Sequence, residues 1–366
     1  MKISLEKLGS LAKIQTGKLD ANASSSDGEY PFFTCARAPL KISSYTYDCE
    51  CVLVAGNGDL NVKYFNGKFD AYQRTYIVES KDKNRLDVRY LYHFMDTYLV
   101  KLREQSIGGI IKYIKLGNLT EAIIPRPSLP DQKRIAAILN KAETLRDKRR
   151  ASIAKLDELL QSVFLDMFGN PLTNPMKWEE RTLEDIGTLD RGVSKHRPRN
   201  APELLGGEYP LIQTGDVANS GGYIRDFTNT YSEIGLQQSK LWPKGTLCIT
   251  IAANIANTGI LMFDSCFPDS VVGFTPNKDS TAEFVQSLLG FLRHMLDAKA
   301  SQVAQKNINL KILRALVIPC PPLHLQKKYS KIAEKIEAQK RGLIIELKKL
   351  DTLFVSLQQQ AFRGEL

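Results

Sequence analysis

The sequence predicts a mixed α/β (α+β) chain built as an internal pseudo-repeat: two globular domains, each followed by one long helix, with the two helices pairing as a coiled coil. Three observations predict this. Two stretches match at a constant offset of 194 residues. Each matching stretch reads as one long helix with breakers at its ends. Each is preceded by β-like runs interleaved with short helical segments. The layout reads residues 1–125 as the first domain, 126–170 as the first spacer helix, 171–319 as the second domain and 320–366 as the second spacer helix.

The upstream halves echo each other faintly. Leu5, Leu8 and Gly9 are matched by Leu183, Ile186 and Gly187, and Tyr30-Pro31 by Tyr209-Pro210. The run CVLVAGNG (51–58) is matched by CITIAANI (248–255), each a β-like stretch followed by small residues and Asn. Segments 87–103 and 281–297 read as short helices. The two domains thus share a framework but not its detail.

The helices carry the strongest repeat. The offset pairs Ile124, Pro125, Pro127, Leu129 and Gln132 with Ile318, Pro319, Pro321, Leu323 and Gln326. It holds without a gap through Lys155, Leu156, Asp157 and Phe168, which meet Lys349, Leu350, Asp351 and Phe362. Prolines stand before each helix, where they do not break it, and Gly169 and Gly364 follow. The apolar stripe of the first copy reads Ile135, Ile138, Ala142, Leu145, Arg149, Ile153, Leu156, Leu160, Val163, Met167. That of the second reads Tyr329, Ile332, Ile336, Gln339, Leu343, Leu347, Leu350, Phe354, Leu357, Ala361. Steps of three and four predict a coiled-coil seam, with a stutter in the middle and one polar member per copy, Arg149 or Gln339. The alternative is two independent amphipathic helices, each packed on its own domain.

Composition narrows the partners. With 366 residues and 43% hydrophobic content the chain can bury more than one core. A net charge of +10 favours an acidic partner, nucleic acid first. The first residues lack the apolar core of a signal peptide, and no run approaches the ~18 apolar residues of a membrane span, so a cytoplasmic protein without a membrane partner is expected. The six cysteines form no C-x-x-C pair and only four histidines are present, so no metal site is expected and the thiols read as reduced.

Catalytic motifs are missing. A base methyltransferase needs a glycine-rich donor loop and an Asn-Pro-Pro-aromatic or Pro-Cys motif. Asn170-Pro171 and Asn174-Pro175 lack the second proline and the aromatic. Asp59, Glu79 and Lys81 mimic the spacing of a magnesium nuclease, a triplet common by chance in a chain with 25% charged residues. No P-loop is present.

What remains is recognition. The stretch Arg191, Lys195, His196, Arg197, Arg199 carries four fixed positive charges and no acid. On a loop such residues hold phosphates, and arginine can read guanine. Lys63, Gln73, Arg74 and Tyr76 form a polar-aromatic candidate in the first domain, although alternating aromatics are often core strands. Ahead of the helices lie Lys112 and Tyr113 in one copy and Gln302, Gln305, Lys306 and Asn307 in the other. The offset of 194 pairs Lys112 with Lys306, which predicts a shared phosphate contact. Asn and Gln can make paired bonds to adenine.

This pattern resembles the HsdS specificity subunits of type I restriction–modification systems. The residues that carry the resemblance are Pro125 to Gln132 and Pro319 to Gln326, two copies of I-P-x-P-x-L-x-x-Q opening long helices, with Trp178, Leu183 and Ile186 at the start of the second unit. It departs from the family at Leu325, where an acid is usual and Asp131 supplies it in the first copy, and in lacking the opening Trp in the first unit. The resemblance implies that each domain is a target-recognition domain reading half of a bipartite DNA site. It implies that the helices pair antiparallel as a ruler, through residues including Ile135, Ile138, Leu145, Ile153, Leu156, Leu160, Ile332, Ile336, Leu343, Leu347, Leu350 and Phe354. Two modification subunits, using S-adenosylmethionine, and two restriction subunits, using ATP and Mg, would supply the chemistry. This chain would bind no cofactor and catalyse nothing. The rival readings are a stand-alone methyltransferase or nuclease, and a coiled-coil protein scaffold.

Overall fold

The computed structural model describes residues 3–252, 256–301 and 309–366. They divide into two compact units, Met1–Ala151 with Leu343–Leu366, and Ser152–Gly342. Each unit takes in parts of both long helices.

The first unit opens with β1 (Ser4–Lys7), α1 (Leu8–Leu11) and β2 (Ala12–Thr16). Then come β3 (Tyr30–Phe33), β4 (Leu40–Ile42), β5 (Tyr47–Ala55), β6 (Val62–Ala71) and β7 (Thr75–Ser80). Helix α2 (Val88–Gln105), α3 (Leu116–Thr120), β8 (Ile123–Arg126) and the start of α4 (Leu129–Phe168) complete it. The sheet order is β2-β7-β5-β6-β3-β4, and β1 pairs separately with β8. From Cys51 onward strand β5 is covered on both sides, whereas its start carries exposed Asp48 and half-buried Glu50. Val52 and Val54 face the core of α2 and α4, while Cys51 and Leu53 face a second cluster with Phe33, Phe69 and Ile77. Helix α2 begins where the Asp87 carboxylate accepts from the Tyr90 amide at 2.9 Å.

The second unit repeats this frame. It runs β9 (Glu180–Thr182), α5 (Leu183–Ile186), β10 (Gly187–Arg191), β11 (Leu205–Leu211), α6 (Thr214–Ala218), β12 (Tyr223–Ile224), β13 (Asn229–Tyr231) and α7 (Glu233–Gln237). There follow β14 (Leu241–Trp242), β15 (Leu247–Thr250), β16 (Thr258–Leu261), β17 (Ser265–Cys266), β18 (Val271–Pro276), α8 (Ala282–Ser301), α9 (Leu310–Arg314), β19 (Val317–Pro319) and α10 (Leu323–Arg363). The order β10-β18-β15-β16 reproduces β2-β7-β5-β6, antiparallel throughout, and β9–β19 reproduces β1–β8. The units diverge where β11, β13, β14 and β17 form an extra four-stranded sheet.

The repeated motif has a structural job. The fully buried Gln132 carboxamide accepts from the Asp87 amide at 2.9 Å and donates to the carbonyls of Arg85 and Pro127 at 2.9 and 3.0 Å. In the second unit Gln326 accepts from the Thr281 amide at 3.1 Å and donates to Asp279 and Pro321 at 3.0 and 2.8 Å. Each glutamine thus joins the proline entry, the start of the preceding helix and the long helix. At the first entry Ser128 and Asp131 add a side-chain bond at 2.6 Å. Leu325, at the position of Asp131, instead packs against the hydrophobic core.

The seam requires a correction. Leu145 does not pair helices, because it is 46% exposed, and Gln339 is exposed as well. The inward positions are Arg146 and Lys340, whose side chains are only 18% and 16% exposed. Arg146 lays its guanidinium 4.3 Å from the centre of the Phe354 ring, and its Nε lies 2.6 Å from Asp351. With these residues the seam reads 135, 139, 142, 146, 149, 153, 156, 160 and 329, 333, 336, 340, 343, 347, 350, 354. Steps of four and three then alternate without a break, and no stutter is needed. Apolarity alone chose the wrong neighbour because long cationic side chains bury their stems. Ile138, Ile153, Leu156, Leu160, Ile332, Leu343, Leu347 and Leu350 are half-buried, and Ile135, Ile336 and Phe354 are buried. In the first unit Arg149 meets Glu346 at 2.7 Å; contacts of 134 with 366 and of 146 with 351 give the helices opposite directions. In the second unit Phe164 and Phe168 pack on Tyr329 and Phe284. The alternative of two helices each packed only on its own domain fails, since Phe354 and Ala361 lie in the first unit's core and Phe164 and Phe168 in the second's.

Candidate nucleic-acid interface

In the first unit the loops at one end of β5, β6 and β7 are laced by backbone bonds. Gly56 donates to the Arg74 carbonyl at 2.8 Å, Ile114 donates to Gly56 at 2.9 Å, and Gly58 donates to Lys112 at 2.9 Å. A Cβ at Gly56 would stand 2.3 Å from the Arg74 oxygen, so the close approach needs glycine. Buried Asn61 ties in a fourth loop by donating to Cys35 O at 2.8 Å. Arg37 pairs with Asp59 beside it at 2.9 Å. Segments 35–37, 56–61, 72–75 and 106–114 therefore form one surface.

Of the candidates here, Arg74, Lys112 and Tyr113 lie on that surface and are exposed. Gln73 is exposed too, and its amide donates to Asp20 at 2.6 Å. Two candidates are corrected. Lys63 turns its ammonium inward to Asn61 Oδ1 at 2.5 Å and Thr34 O at 3.4 Å, and burial pushes its pKa below the ordinary lysine value. Tyr76 is half-buried against the core and donates to Ile114 O at 3.2 Å. Alternation along β6 and β7 turned these two side chains inward. Exposed Ile110 and Ile111 stand at the tip of the 106–114 segment.

In the second unit the basic stretch leaves β10 as a shaped loop. The Gln238 carboxamide accepts from the Lys195 and His196 amides at 2.7 and 3.0 Å. Arg197 donates to the Ser194 and His196 carbonyls at 2.7 and 2.8 Å. The acid-free reading holds along the sequence but not in space. Asp269, from the loop before β18, lies 3.6 Å from Arg197 and pairs with Arg199, and Glu203 lies 4.0 Å from His196. Arg191 and Lys195 remain exposed, with no ion pair among the described residues. Arg199 also borders a cleft of about 400 Å³ lined by Asn200, Gln213, Thr214, Asn229 and Tyr231. The amides of Asn200, Gln213 and Asn229 and the Thr214 hydroxyl suit hydrogen bonding to base edges, while Tyr231 is buried. Sequence reading missed them because they come from separate segments. Gln302, Gln305, Lys306 and Asn307 lie outside the described residues.

The nuclease-like triplet does not converge. Asp59 is held by Arg37, Glu79 lies 3.3 Å from Lys13, and Lys81 donates to the Gly9 carbonyl at 2.7 Å. Among the described residues no cluster of His, Cys, Asp and Glu could hold a metal, and no helix is long and apolar enough to cross a membrane.

The chain has recognisable relatives among known proteins. Residues 4–155 and 175–349 match the family model of the type I restriction modification DNA specificity domain. The chain is 26% identical over 392 residues to the type I restriction enzyme EcoDI specificity subunit of Escherichia coli, covering 98% of this chain and 88% of that one. It is 22% identical to the EcoBI specificity subunit of Escherichia coli over 87% of this chain and 74% of the other. The crystal structure of a type I restriction-modification system S subunit from M. genitalium superposes with a TM-score of 0.67 at 17% identity, covering 99% of this chain and 96% of that one.

Proposed function

We propose, starting from the fact that this chain belongs to the type I restriction modification DNA specificity domain family, that its first unit reads one half of a bipartite duplex target and its second unit the other. As a specificity subunit it recognises DNA and leaves chemistry to its partners. The observation that carries this reading is the repeat itself. One frame, pinned by Gln132 in one unit and Gln326 in the other, presents a different polar loop surface in each. A frame held constant while its loops vary is what reading two unlike half-sites demands.

On the first surface Arg74 and Lys112 hold phosphates and Tyr113 and Gln73 lie beside them. On the second, Arg191 and Lys195 hold phosphates, while the cleft by Arg199 presents Gln213 and Asn229 to bases. By the offset of 194 Lys306 would match Lys112 in holding a phosphate, and Gln302, Gln305 and Asn307 would offer paired bonds to adenine. Two modification subunits carrying S-adenosylmethionine would dock on the paired helices, and two restriction subunits using ATP and Mg would complete the enzyme. The test is methyl transfer to DNA. The purified chain should transfer none, and the chain with its modification subunit should methylate one two-part sequence. Methylation by the chain alone would overturn the reading.

A further inference from the structure

The tip of the 106–114 segment presents apolar side chains where a surface loop should be polar. Ile110 is fully exposed and Ile111 is 62% exposed. This is a held loop. Ile107 donates to Tyr113 at 3.0 Å, Tyr113 donates back at 2.9 Å, and Gly58 fixes the Lys112 carbonyl. Gly108, at φ +112°, shapes the turn below the tip. Two branched apolar side chains held in water by a closed turn have no role in packing this unit.

Two further observations say what covers them. The rim is cationic: Lys112 is exposed on the same segment, Lys115 directly after it, and Arg74 on the adjoining loop. A cationic rim around an apolar tip fits a polyanion with apolar surface inside it, which describes duplex DNA. The sequence repeat also lacks the isoleucines. The offset of 194 that pairs Lys112 with Lys306 places Ala304 and Gln305 opposite Ile110 and Ile111.

We infer that Ile110 and Ile111 form an apolar contact with the bases of the half-site read by the first unit, seated by Lys112 on the adjacent phosphate. The inference rests on the DNA-reading function proposed above and names residues within it. An apolar base contact releases no counterions, so its contribution to affinity does not depend on salt, unlike that of the lysine.

The experiment uses the chain assembled with its modification subunits, a duplex carrying its methylated target and a scrambled duplex. I110S/I111S should weaken target binding about ten- to hundredfold, with little change for the scrambled duplex and no change in salt slope. Lys112→Ala should weaken both duplexes and lower the slope by about one. Thymine-to-uracil and 2-aminopurine substitutions in the first half-site locate the contact. A loss on removing one methyl group marks a thymine edge, whereas 2-aminopurine fluorescence that rises with wild type and not with the variant marks insertion between bases. An unchanged melting temperature for I110S/I111S shows that the fold is kept. Unaltered target affinity in the double variant overturns the inference, as does loss of the modification subunit with DNA binding intact. Wild-type complex that fails to distinguish target from scrambled DNA overturns instead the reading on which the inference rests.

Discussion

Lys340 meets Asp157 at 2.6 Å, and this contact is the second copy of one made by Arg146 with Asp351, also at 2.6 Å. The offset of 194 carries Arg146 onto Lys340 and Asp157 onto Asp351. Each pair places a cation in the seam, where a carboxylate of the facing helix neutralises it. An apolar residue there would pack as well in many registers; a charge with one facing partner favours a single register.

The first prediction follows from that pairing. Asp351→Ala leaves the mostly covered Arg146 without its carboxylate and should destabilise the first unit by about 1 kcal/mol, a modest figure because Asp351 is itself 40% exposed. Asp157→Ala should do the same in the second unit. A double-mutant cycle of Arg146→Met and Asp351→Ala, followed by urea unfolding, should show a coupling energy. Strict additivity would mean that the pair sets nothing.

A second prediction concerns the glutamines. Gln132→Ala removes the acceptor from the Asp87 amide and the donor from two carbonyls in a fully buried place. The expected cost is about 2–3 kcal/mol, from buried polar groups left unpaired. Because Gln326 serves the other unit, Gln132→Ala should impair reading of one half-site and Gln326→Ala the other. Equal damage to both half-sites from either variant would contradict the separate anchoring.

How far the sequence discloses this structure depends on the range of the interaction. The offset of 194, the long helices and the β-like runs that begin 51–58 and 248–255 are local or repeated signals, and they emerge as α4, α10, β5 and β15, with residues 253–255 outside the described residues. Gln132 is visible as a repeated residue, but its role needs the Asp87 amide from a distant segment. Hydrophobicity ranks Leu145 above Arg146, whereas the folded seam covers the Arg146 side chain with Phe354 and pairs its charge with Asp351. The Arg191–Arg199 stretch contains no acid of its own, and Asp269 reaches it only through folding. The same limit hid Gln213 and Asn229. Pairs of residues brought together by tertiary packing leave no periodic trace in the chain.

The third prediction separates the basic loop into two classes. Arg191→Ala and Lys195→Ala should each weaken binding to every duplex and lower the salt slope by about one, since neither side chain has an ion-pair partner among the described residues. Asp269→Asn should act in the opposite sense. It frees Arg197 and Arg199 and should raise affinity for unrelated duplex at low salt, with a steeper slope. Titrations at several salt concentrations decide between these outcomes, and a weaker-binding Asp269→Asn would mean that the ion pairs are needed to shape the loop.

Lys63 supplies a fourth. Burial lowers its pKa, so the folded state holds this proton less tightly than the unfolded chain does. The penalty is present below the folded-state value and is relieved as pH rises toward 10.5. Urea midpoints of the wild type should therefore gain stability over that alkaline range relative to Lys63→Met. The same substitution should leave the salt slope of DNA binding unchanged. A slope lowered by one would return Lys63 to the set of phosphate contacts.

The last prediction concerns helix length. At ~1.5 Å per residue, four residues inserted after Ser152 lengthen α4 by ~6 Å, close to one turn. An insertion in α4 alone moves Asp157 relative to Arg146 along one helix, while Lys340 and Asp351 keep their spacing on the other. Both ion pairs then cannot form, and the variant should be less stable by about the worth of one pair. A second four-residue insertion after Glu346, the position 194 beyond Ser152, restores matched spacing. The doubly inserted chain, with its modification subunit, should methylate a target whose half-sequences are unchanged and whose spacer is longer by one or two base pairs. Methylation mapping reads both quantities at once. An active double insertion with an unaltered spacer would show that the helices do not measure the gap, and an altered half-sequence would show that they take part in reading bases.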